Sequence, residues 1–310
     1  MIELDSVTKL YGTVIGVNDV SLNLGPGAHG LLGPNGSGKT TFLNLITGQL
    51  RPTRGRLRIF GEDPWDNPRL YRRIGICPSF EGLYAEITAR DWVIYMLRLH
   101  GFSYSEANRR ALDALEIVGM TASMHRTMGT YSRGMRQRTK LAQAIAHNPE
   151  LLILDEPFNG LDPVGRHEIS LLLKDWVKGG GSLIIASHIL YEVETLATSF
   201  LLVSGGRLLA SGTPDEVHSL LTNLPNEFVI RGTGLRELSQ RMIEEELVDS
   251  IRLESGDRLT VTTHNPGALT ARLPVWSDGG SIRIVELTSG DDTLQALFTT
   301  LMRIHRGELR

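Results

Sequence analysis

The sequence has little of what marks secreted or membrane-embedded proteins. Cys77 is the only cysteine among 310 residues, so no disulfide framework can form, and the composition fits a reducing compartment. We find no apolar run of about 18 residues, the length that a membrane-spanning helix needs, so we expect no such helix. Residues 1–5 carry acidic side chains and precede no long apolar core, which is not typical of a signal peptide.

Neither sign of charge dominates the sequence. The chain has 32 basic and 35 acidic side chains and a formal net charge of -3, which argues against a broad nucleic-acid-binding surface. Hydrophobic residues make up 41% and charged residues 22% of the chain, an ordinary globular balance. Internal repeats and low-complexity tracts are absent, and a length of 310 residues suggests two domains.

Residues 33–40 read Gly-Pro-Asn-Gly-Ser-Gly-Lys-Thr and match the phosphate-binding pattern G-x-x-x-x-G-K-[ST] at every fixed position. Apolar residues precede this segment, and residues 41–46 continue with helical spacing. Its glycines allow successive N–H groups to point into one concavity. We expect Lys39 to reach the β- and γ-phosphates and the Thr40 hydroxyl to bind Mg²⁺. The alternative is a glycine-rich turn that binds nothing. The apolar residues before the segment and the helical spacing after it disfavour this alternative. The predicted nucleotide contacts are Gly33, Pro34, Asn35, Gly36, Ser37, Gly38, Lys39, Thr40 and Thr41.

Two acidic residues follow an unbroken aliphatic run at residues 151–154, which is typical of a central parallel strand. In α/β folds, ligands bind at the carboxyl ends of such strands. Asp155 is therefore a candidate Mg²⁺ ligand, and Glu156 is a candidate for polarising a water that attacks the γ-phosphate. A pair of solvated charges is the alternative. A phosphate loop in the same chain disfavours this alternative, because the Mg²⁺ that accompanies a bound nucleotide needs an acidic ligand.

His188 and Tyr11 each allow two interpretations. His188 follows another aliphatic strand, residues 183–186. It is either a hydrogen-bonded structural residue or a group that contacts the γ-phosphate or orients the water. Tyr11 is either a half-buried strand aromatic or a ring that stacks on a base. Taken alone, both residues favour the structural interpretation.

The remaining pattern predicts an α/β protein with a helical insertion. Helical spacing runs from about residue 88 to residue 145. Its first apolar face is expected at Trp92, Tyr95, Met96 and Leu99. After a linker at residues 222–226, a small α+β unit follows without a catalytic constellation. We expect strands at residues 2–24, 57–60, 74–78, 201–203, 207–210, 227–231, 251–253, 258–262 and 282–287, and helices at 214–221, 235–246 and 294–304.

Residues 131–138, Tyr-Ser-Arg-Gly-Met-Arg-Gln-Arg, lie just upstream of the acidic pair. Together with the phosphate loop, they resemble the ATP-binding subunits of ATP-binding cassette (ABC) transporters. The resemblance covers residues 2 to about 224 and implies a P-loop NTPase cassette, residues 1–224, with a helical subdomain at about 84–146. Ser132 and Gly134 resemble the signature turn that holds a γ-phosphate from outside, although an ordinary helix cap is the alternative.

The same resemblance implies roles and partners. Tyr11 would stack on adenine, His188 would be the switch histidine, and Asp162 would end a loop that crosses between subunits. The implied ligands are ATP and Mg²⁺, and ATP with water would give ADP and phosphate. The implied catalytic residues are Glu156, His188 and Lys39. The family works as a head-to-tail dimer, so the chain would need a second copy or a related ATPase subunit. A separate transmembrane permease would hold it at the cytoplasmic face of the cell membrane.

Some residues depart from the family pattern. Ser79 stands where the family usually has glutamine after Pro78. Because serine is shorter, it would join Mg²⁺ only through a water or a loop shift, so we expect slow basal hydrolysis. Ser79 is nevertheless a candidate metal ligand beside Thr40 and Asp155. The tolerable departures are Arg133, Met135 and Asn159. Residues 225–310 loosely resemble the accessory α+β domain of subunits that serve ABC-2-type exporters.

Three functions remain open from the sequence. The first is an ATPase subunit that powers an exporter. The second is an ABC protein that acts on nucleic acid or the ribosome, which usually carries two cassettes or a long coiled-coil insertion, and neither is present here. The third is an ATP-sensing module of low turnover, which Ser79 suggests. The resemblance also implies that the contacts with the cargo lie in the permease.

Overall fold

The computed structural model describes residues 1–80, 82–219, 226–255, 257–278, 280–289 and 301–302. The chain divides into two compact units, Met1–Thr213 and Pro214–Arg310. Among the described residues, no helix is both long enough and apolar enough to cross a membrane.

The first unit contains two sheets. Its strands are β1 Ile2–Tyr11, β2 Val14–Leu24, β3 Ala28–Leu32, β4 Arg54–Ile59, β5 Ile74–Cys77, β6 Leu151–Asp155, β7 Ser182–Ser187, β8 Ser199–Ser204 and β9 Arg207–Gly212. The larger sheet has the order β5-β6-β7-β3-β8-β9, and its strands are parallel up to the antiparallel pair β8–β9. Strands β3, β6 and β7 are buried at every position, which agrees with their aliphatic runs.

The smaller sheet is antiparallel, with the order β2-β1-β4. Its inward-facing side chains join those of the larger sheet and of the first helix in one hydrophobic cluster. Ile2 from β1, Leu31 from β3 and Phe42 from that helix are all buried in it. The segment between β3 and the first helix, residues 33–38, is therefore held by the core at both of its ends.

Seven α-helices lie in the described part of the first unit. They are α1 Lys39–Ile46, α2 Pro68–Tyr71, α3 Ala89–Leu99, α4 Tyr104–Ile117, α5 Arg133–Ile145, α6 Pro163–Lys178 and α7 Leu190–Glu194. Helices α3, α4 and α5 confirm the helical prediction for residues 88–145. The sequence pattern did not predict α6, although Asp162 caps it and Pro163 opens it, both ordinary signals of a helix start.

The predicted apolar face of α3 is only partly right: Trp92 is buried and Met96 is half-buried, but Tyr95 and Leu99 are not. Tyr95 is 55% exposed and Leu99 is 66% exposed, whereas Val93 and Leu97 are fully or almost fully buried. Apolar residues occur nearly all round this helix, so their spacing does not select one face. Packing against α4 and α5 selects the face that carries Val93 and Leu97 instead.

The described residues of the second unit form a four-stranded antiparallel sheet with helices, in agreement with the α+β prediction. Its elements are α8 Pro214–Ser219, β10 Asn226–Thr233, α9 Leu235–Glu244, β11 Ser250–Ser255, β12 Arg258–Thr263, α10 Pro266–Ser277 and β13 Arg283–Ser289. The strand order is β11-β12-β10-β13, and Ile230, Leu238 and Val261 are buried in its core. The predicted linker residues 222–225 and most of the predicted helix at 294–304 lie outside the described residues.

Candidate nucleotide-binding site

The predicted phosphate loop lies between the end of β3 and the start of α1. At two positions of this loop there is room only for glycine. A side chain on Gly33 would collide with the backbone oxygen of Val203, and one on Gly38 would collide with that of Gly16. Gly38 also has a φ of 105° at the N-cap of α1, a backbone conformation that side chains disfavour. At these two positions the loop therefore lies directly against neighbouring backbone.

Two polar groups of this loop, the Lys39 ammonium and the Ser37 hydroxyl, suit a bound anion. The Lys39 ammonium donates to the carbonyl oxygens of Gly33 at 2.6 Å and Pro34 at 3.2 Å. Burial lowers the pKa of Lys39, against the opposing effect of two nearby carboxylates. The Ser37 hydroxyl is buried and has no hydrogen-bond partner in the described part of the chain. A phosphate group fits this arrangement, because it accepts hydrogen bonds and carries the opposite charge.

Three candidate metal ligands from separate chain segments meet at the carboxyl edge of the larger sheet. Ser79 donates a hydrogen bond to Asp155 Oδ2 at 2.9 Å, and Thr40 donates to the same oxygen at 3.3 Å. Burial raises the pKa of Asp155, and the charge of Glu156 adds to the effect, while the hydrogen bond from Ser79 opposes it. Two hydroxyl groups and a carboxylate form the oxygen donor set that Mg²⁺ prefers.

Glu156 and His188 form a hydrogen-bonded pair. His188 donates to the Glu156 carboxylate through Nδ1, at 2.9 Å from Oε1, and through its backbone N–H at 3.1 Å. Glu156 has a φ of 52°, which is uncommon outside glycine, and its own N–H donates to Ala186 O at 2.9 Å. The His188 ring then leaves Nε2 as the nitrogen that can contact a ligand.

Tyr11 forms one wall of the cavity beside the loop. The residue is 45% exposed, and its hydroxyl lies 3.5 Å from Thr41 Oγ1. A side chain on Gly16 would collide with the ring. The cavity has a volume of about 400 Å³ and is lined by Tyr11, residues 14–16, residues 35–41, Ser79, Asp155 and Glu156. The structure thus brings the aromatic ring, the loop and both acids to one cavity within the size range of ligand pockets.

Six residues that the sequence assigned to the site are not among those lining this cavity: Gly33, Pro34, Ser132, Gly134, Asp162 and His188. Ser132 caps α5, accepting from Met135 N at 3.2 Å, and Asp162 caps α6, accepting from Gly165 N at 2.8 Å. Both caps are exposed. The segment before α6 and the start of α5 contact each other, since a side chain on Gly134 would lie 3.0 Å from Gly160 O. Within one chain these residues form a separate surface.

Sequence reasoning missed several residues around the site. Lys140 on α5 donates to the carbonyl oxygens of Pro78 at 2.8 Å and Phe80 at 3.4 Å, on either side of Ser79. Glu192 on α7 accepts from Ser187 Oγ at 2.8 Å. Burial raises the pKa of Glu192, although the hydrogen bond from Ser187 opposes this. In the sequence, the only feature that could have pointed to Glu192 is its position four residues after His188. No sequence feature pointed to Lys140.

Sequence comparison finds relatives over most of the chain. A family model described as "ABC transporter" matches residues 17–159. Daunorubicin/doxorubicin resistance ATP-binding protein DrrA of Streptomyces peucetius is 31% identical, over 88% of this chain and 80% of the relative. Nod factor export ATP-binding protein I of Rhizobium johnstonii is 34% identical over 92% and 90%. Bacitracin transport ATP-binding protein BcrA of Bacillus licheniformis is 38% identical over 67% and 68%.

Solved structures agree with this result. The dimeric post-hydrolysis state of the ATP-binding cassette MJ0796 bound to ADP and Pi superposes with a TM-score of 0.64 and 25% identity, covering 69% of this chain and 98% of that one. A structure described as the ATP-binding subunit of an ABC transporter gives a TM-score of 0.66 and 28% identity, over 71% and 93%. The first unit therefore has the fold of these cassettes.

Proposed function

Because the chain belongs to the ABC transporter family, as one of its ATP-binding subunits, we propose that it hydrolyses ATP to ADP and phosphate and thereby powers a separate membrane permease. Its relatives are named for daunorubicin/doxorubicin resistance, bacitracin transport and Nod factor export, so we propose that this permease is an exporter. The subunit would then work at the cytoplasmic face of the membrane.

One observation carries the proposal. Residues 35–40 of the phosphate loop border the same cavity of about 400 Å³ as Ser79, Asp155 and Glu156. A binding site for a nucleoside triphosphate needs the loop, whereas only hydrolysis needs a carboxylate next to the place of the terminal phosphate. The presence of Glu156 at that edge favours an ATPase over a module that only senses ATP.

The residues have distinct proposed tasks. Lys39 exchanges its bonds to Gly33 and Pro34 for bonds to the β- and γ-phosphates, and Tyr11 stacks on the base. Glu156 accepts the proton of the attacking water, and His188 holds the carboxylate in place. Thr40, Asp155 and Ser79 would hold Mg²⁺, which supplies positive charge to the phosphate oxygens.

A single chain leaves the γ-phosphate open on one side. Ser132, Gly134 and Asp162 do not line the cavity, and both caps are exposed. We propose that a second copy or a related subunit supplies these residues to the nucleotide in a head-to-tail dimer. Residues 1–224 would form the ATP-binding domain, with a helical subdomain at about 84–146, and residues 225–310 would form the accessory domain.

The proposal is tested with Glu156→Gln in the full-length chain. Glutamine has the size of glutamate but does not accept a proton, so ATP binding should persist, phosphate release should fall at least a hundredfold, and an ATP-bound dimer should accumulate in size-exclusion chromatography. Lys39→Ala should instead weaken binding, because a charge partner of the phosphates is lost. Glu194→Gln, at an exposed carboxylate, serves as the control and should match the wild type. Normal phosphate release by Glu156→Gln would refute this role.

A further inference from the structure

A chain of polar contacts connects Glu156 to Ser187, Glu192 and Arg166. Ser187, the last residue of β7, donates to Glu192 Oε2 at 2.8 Å and lies 3.4 Å from Glu156 Oε2. The other Glu192 oxygen accepts from Arg166 at 3.1 Å. Arg166 also donates through Nε to the Leu161 carbonyl oxygen at 3.3 Å. A continuous set of contacts thus links the loop before α6 to the carboxylate of Glu156.

The Ser187 hydroxyl has one proton to donate, and the carboxylates of Glu156 and Glu192 both lie within its reach. The backbone N–H of Ile189 donates to Ser187 Oγ at 3.0 Å, so the hydroxyl oxygen already accepts a hydrogen bond. A good O–H···O bond spans about 2.5–3.0 Å. The Glu192 contact lies within that range and the Glu156 contact lies outside it. The proton therefore points to Glu192.

Packing holds Glu192 firmly in this position. The Glu192 side chain is 9% exposed. Val193, the next residue on α7, is fully buried and lies over Gly30, where any side chain would collide with it. Helix α7 therefore sits directly against β3, and its acidic residue has little freedom to turn away from Ser187.

We propose that Glu192 is a positioning residue for hydrolysis. By accepting the Ser187 proton, Glu192 keeps that proton off Glu156, whose oxygens remain available to His188 and to the attacking water. A hydrogen bond from Ser187 would occupy a lone pair of Glu156 Oε2 that the attacking water could otherwise use. The inference rests on the proposed role of Glu156 as the base.

Arg166 sets the orientation of Glu192. The planar guanidinium binds Leu161 O and Glu192 at the same time, which the single ammonium of a lysine does not match. Glu156 begins the turn that leads to Leu161, and Asn159 N donates to Glu156 O at 3.2 Å within it. Both ends of the contact chain therefore meet in one short segment, and a displacement of that segment would change the hydrogen bonds of the base.

The test is Glu192→Gln, measured as steady-state phosphate release at saturating Mg²⁺. Arg166 only donates, so the glutamine oxygen should face Arg166 and its amide N–H₂ should face Ser187 Oγ. The Ser187 proton is then directed to Glu156, and we expect kcat to fall about tenfold with KM unchanged. Adding Ser187→Ala to Glu192→Gln removes that proton, so kcat should return to the value of Ser187→Ala alone. A purely structural role for Glu192 predicts no such rescue.

Glu194→Gln on the same helix serves as the matched control, and the thermal midpoint of every variant is recorded. Arg166→Lys is a second probe that keeps the positive charge, and it should lower kcat severalfold at constant KM. A Glu192→Gln kcat within twofold of the wild type, an absent rescue, or an unchanged kcat in Arg166→Lys would each overturn the inference. If Glu156→Gln stays active, the base assignment itself fails. If Glu156→Gln is inactive and Glu192→Gln is normal, only the positioning role fails.

Discussion

Acidification should destabilise the first unit through His147. This side chain lies just after α5 and is 9% exposed, with its ring stacked on that of His100 at a centroid distance of 4.3 Å. Nε2 donates to Ile74 O at 3.0 Å, whereas Nδ1 is buried without a partner among the described residues. Burial lowers the pKa of His147 to about 4, the charge of His100 lowers it further, and the bond to Ile74 opposes the shift.

The magnitude follows from linkage between proton binding and folding. The unfolded chain binds a proton at His147 near pH 6.5, and the folded chain does so only near pH 4. The contribution to stability is therefore fully present above pH 6.5 and is lost progressively as the pH falls towards about 4. At pH 5 the loss amounts to about 2 kcal/mol, taking about 1.36 kcal/mol for each pKa unit.

Urea unfolding of the wild type and of His147→Gln, at about pH 7.5 and about pH 5, measures this loss. Glutamine keeps a donor for Ile74 O but does not titrate. The free energy of unfolding should fall between these pH values by about 2 kcal/mol more in the wild type than in the variant. His125→Gln, at an exposed histidine, should behave like the wild type. An equal fall in the wild type and in His147→Gln would refute the reasoning.

Three further outcomes concern the nucleotide site and its surroundings. Tyr11→Ala should raise the Kd for ATP about tenfold to a hundredfold, and Tyr11→Trp should not, since a stacked base is worth roughly 1–3 kcal/mol; equal affinities in calorimetry would leave Tyr11 a structural role. Ser79→Ala removes the donor to Asp155 at 2.9 Å and should raise the Mg²⁺ concentration needed for half-maximal phosphate release severalfold, whereas an unchanged requirement would exclude Ser79 from the metal site. Cys77 is buried, which raises its pKa to about 11, so a disulfide reagent at about pH 8 should label it only after denaturation, and rapid labelling of the folded chain would contradict its burial.

Local motifs were readable from the sequence because their chemistry depends on neighbouring residues. The phosphate loop needs glycines, a lysine and a threonine at set spacing, and the structure shows why, since side chains at Gly33 and Gly38 would collide with backbone oxygens. The aliphatic run at residues 151–154 likewise predicted a buried strand that ends in acids. Helix α10 escaped prediction because Pro274 lies inside it, and proline usually interrupts helices.

The partners of the functional side chains were decided only by the tertiary structure. Ser79 meets Asp155 across 76 residues, and Glu156 meets His188 across 32. These contacts arise because β5, β6 and β7 lie side by side and end at the same edge of the sheet, and strand order is not written in any local pattern. The same holds for Glu192 and Arg166. In the sequence, each of them looks like an ordinary charged surface residue. They belong to the site because α6 and α7 pack against β7. Local spacing thus set the chemistry of each segment, whereas long-range packing set the distances between segments.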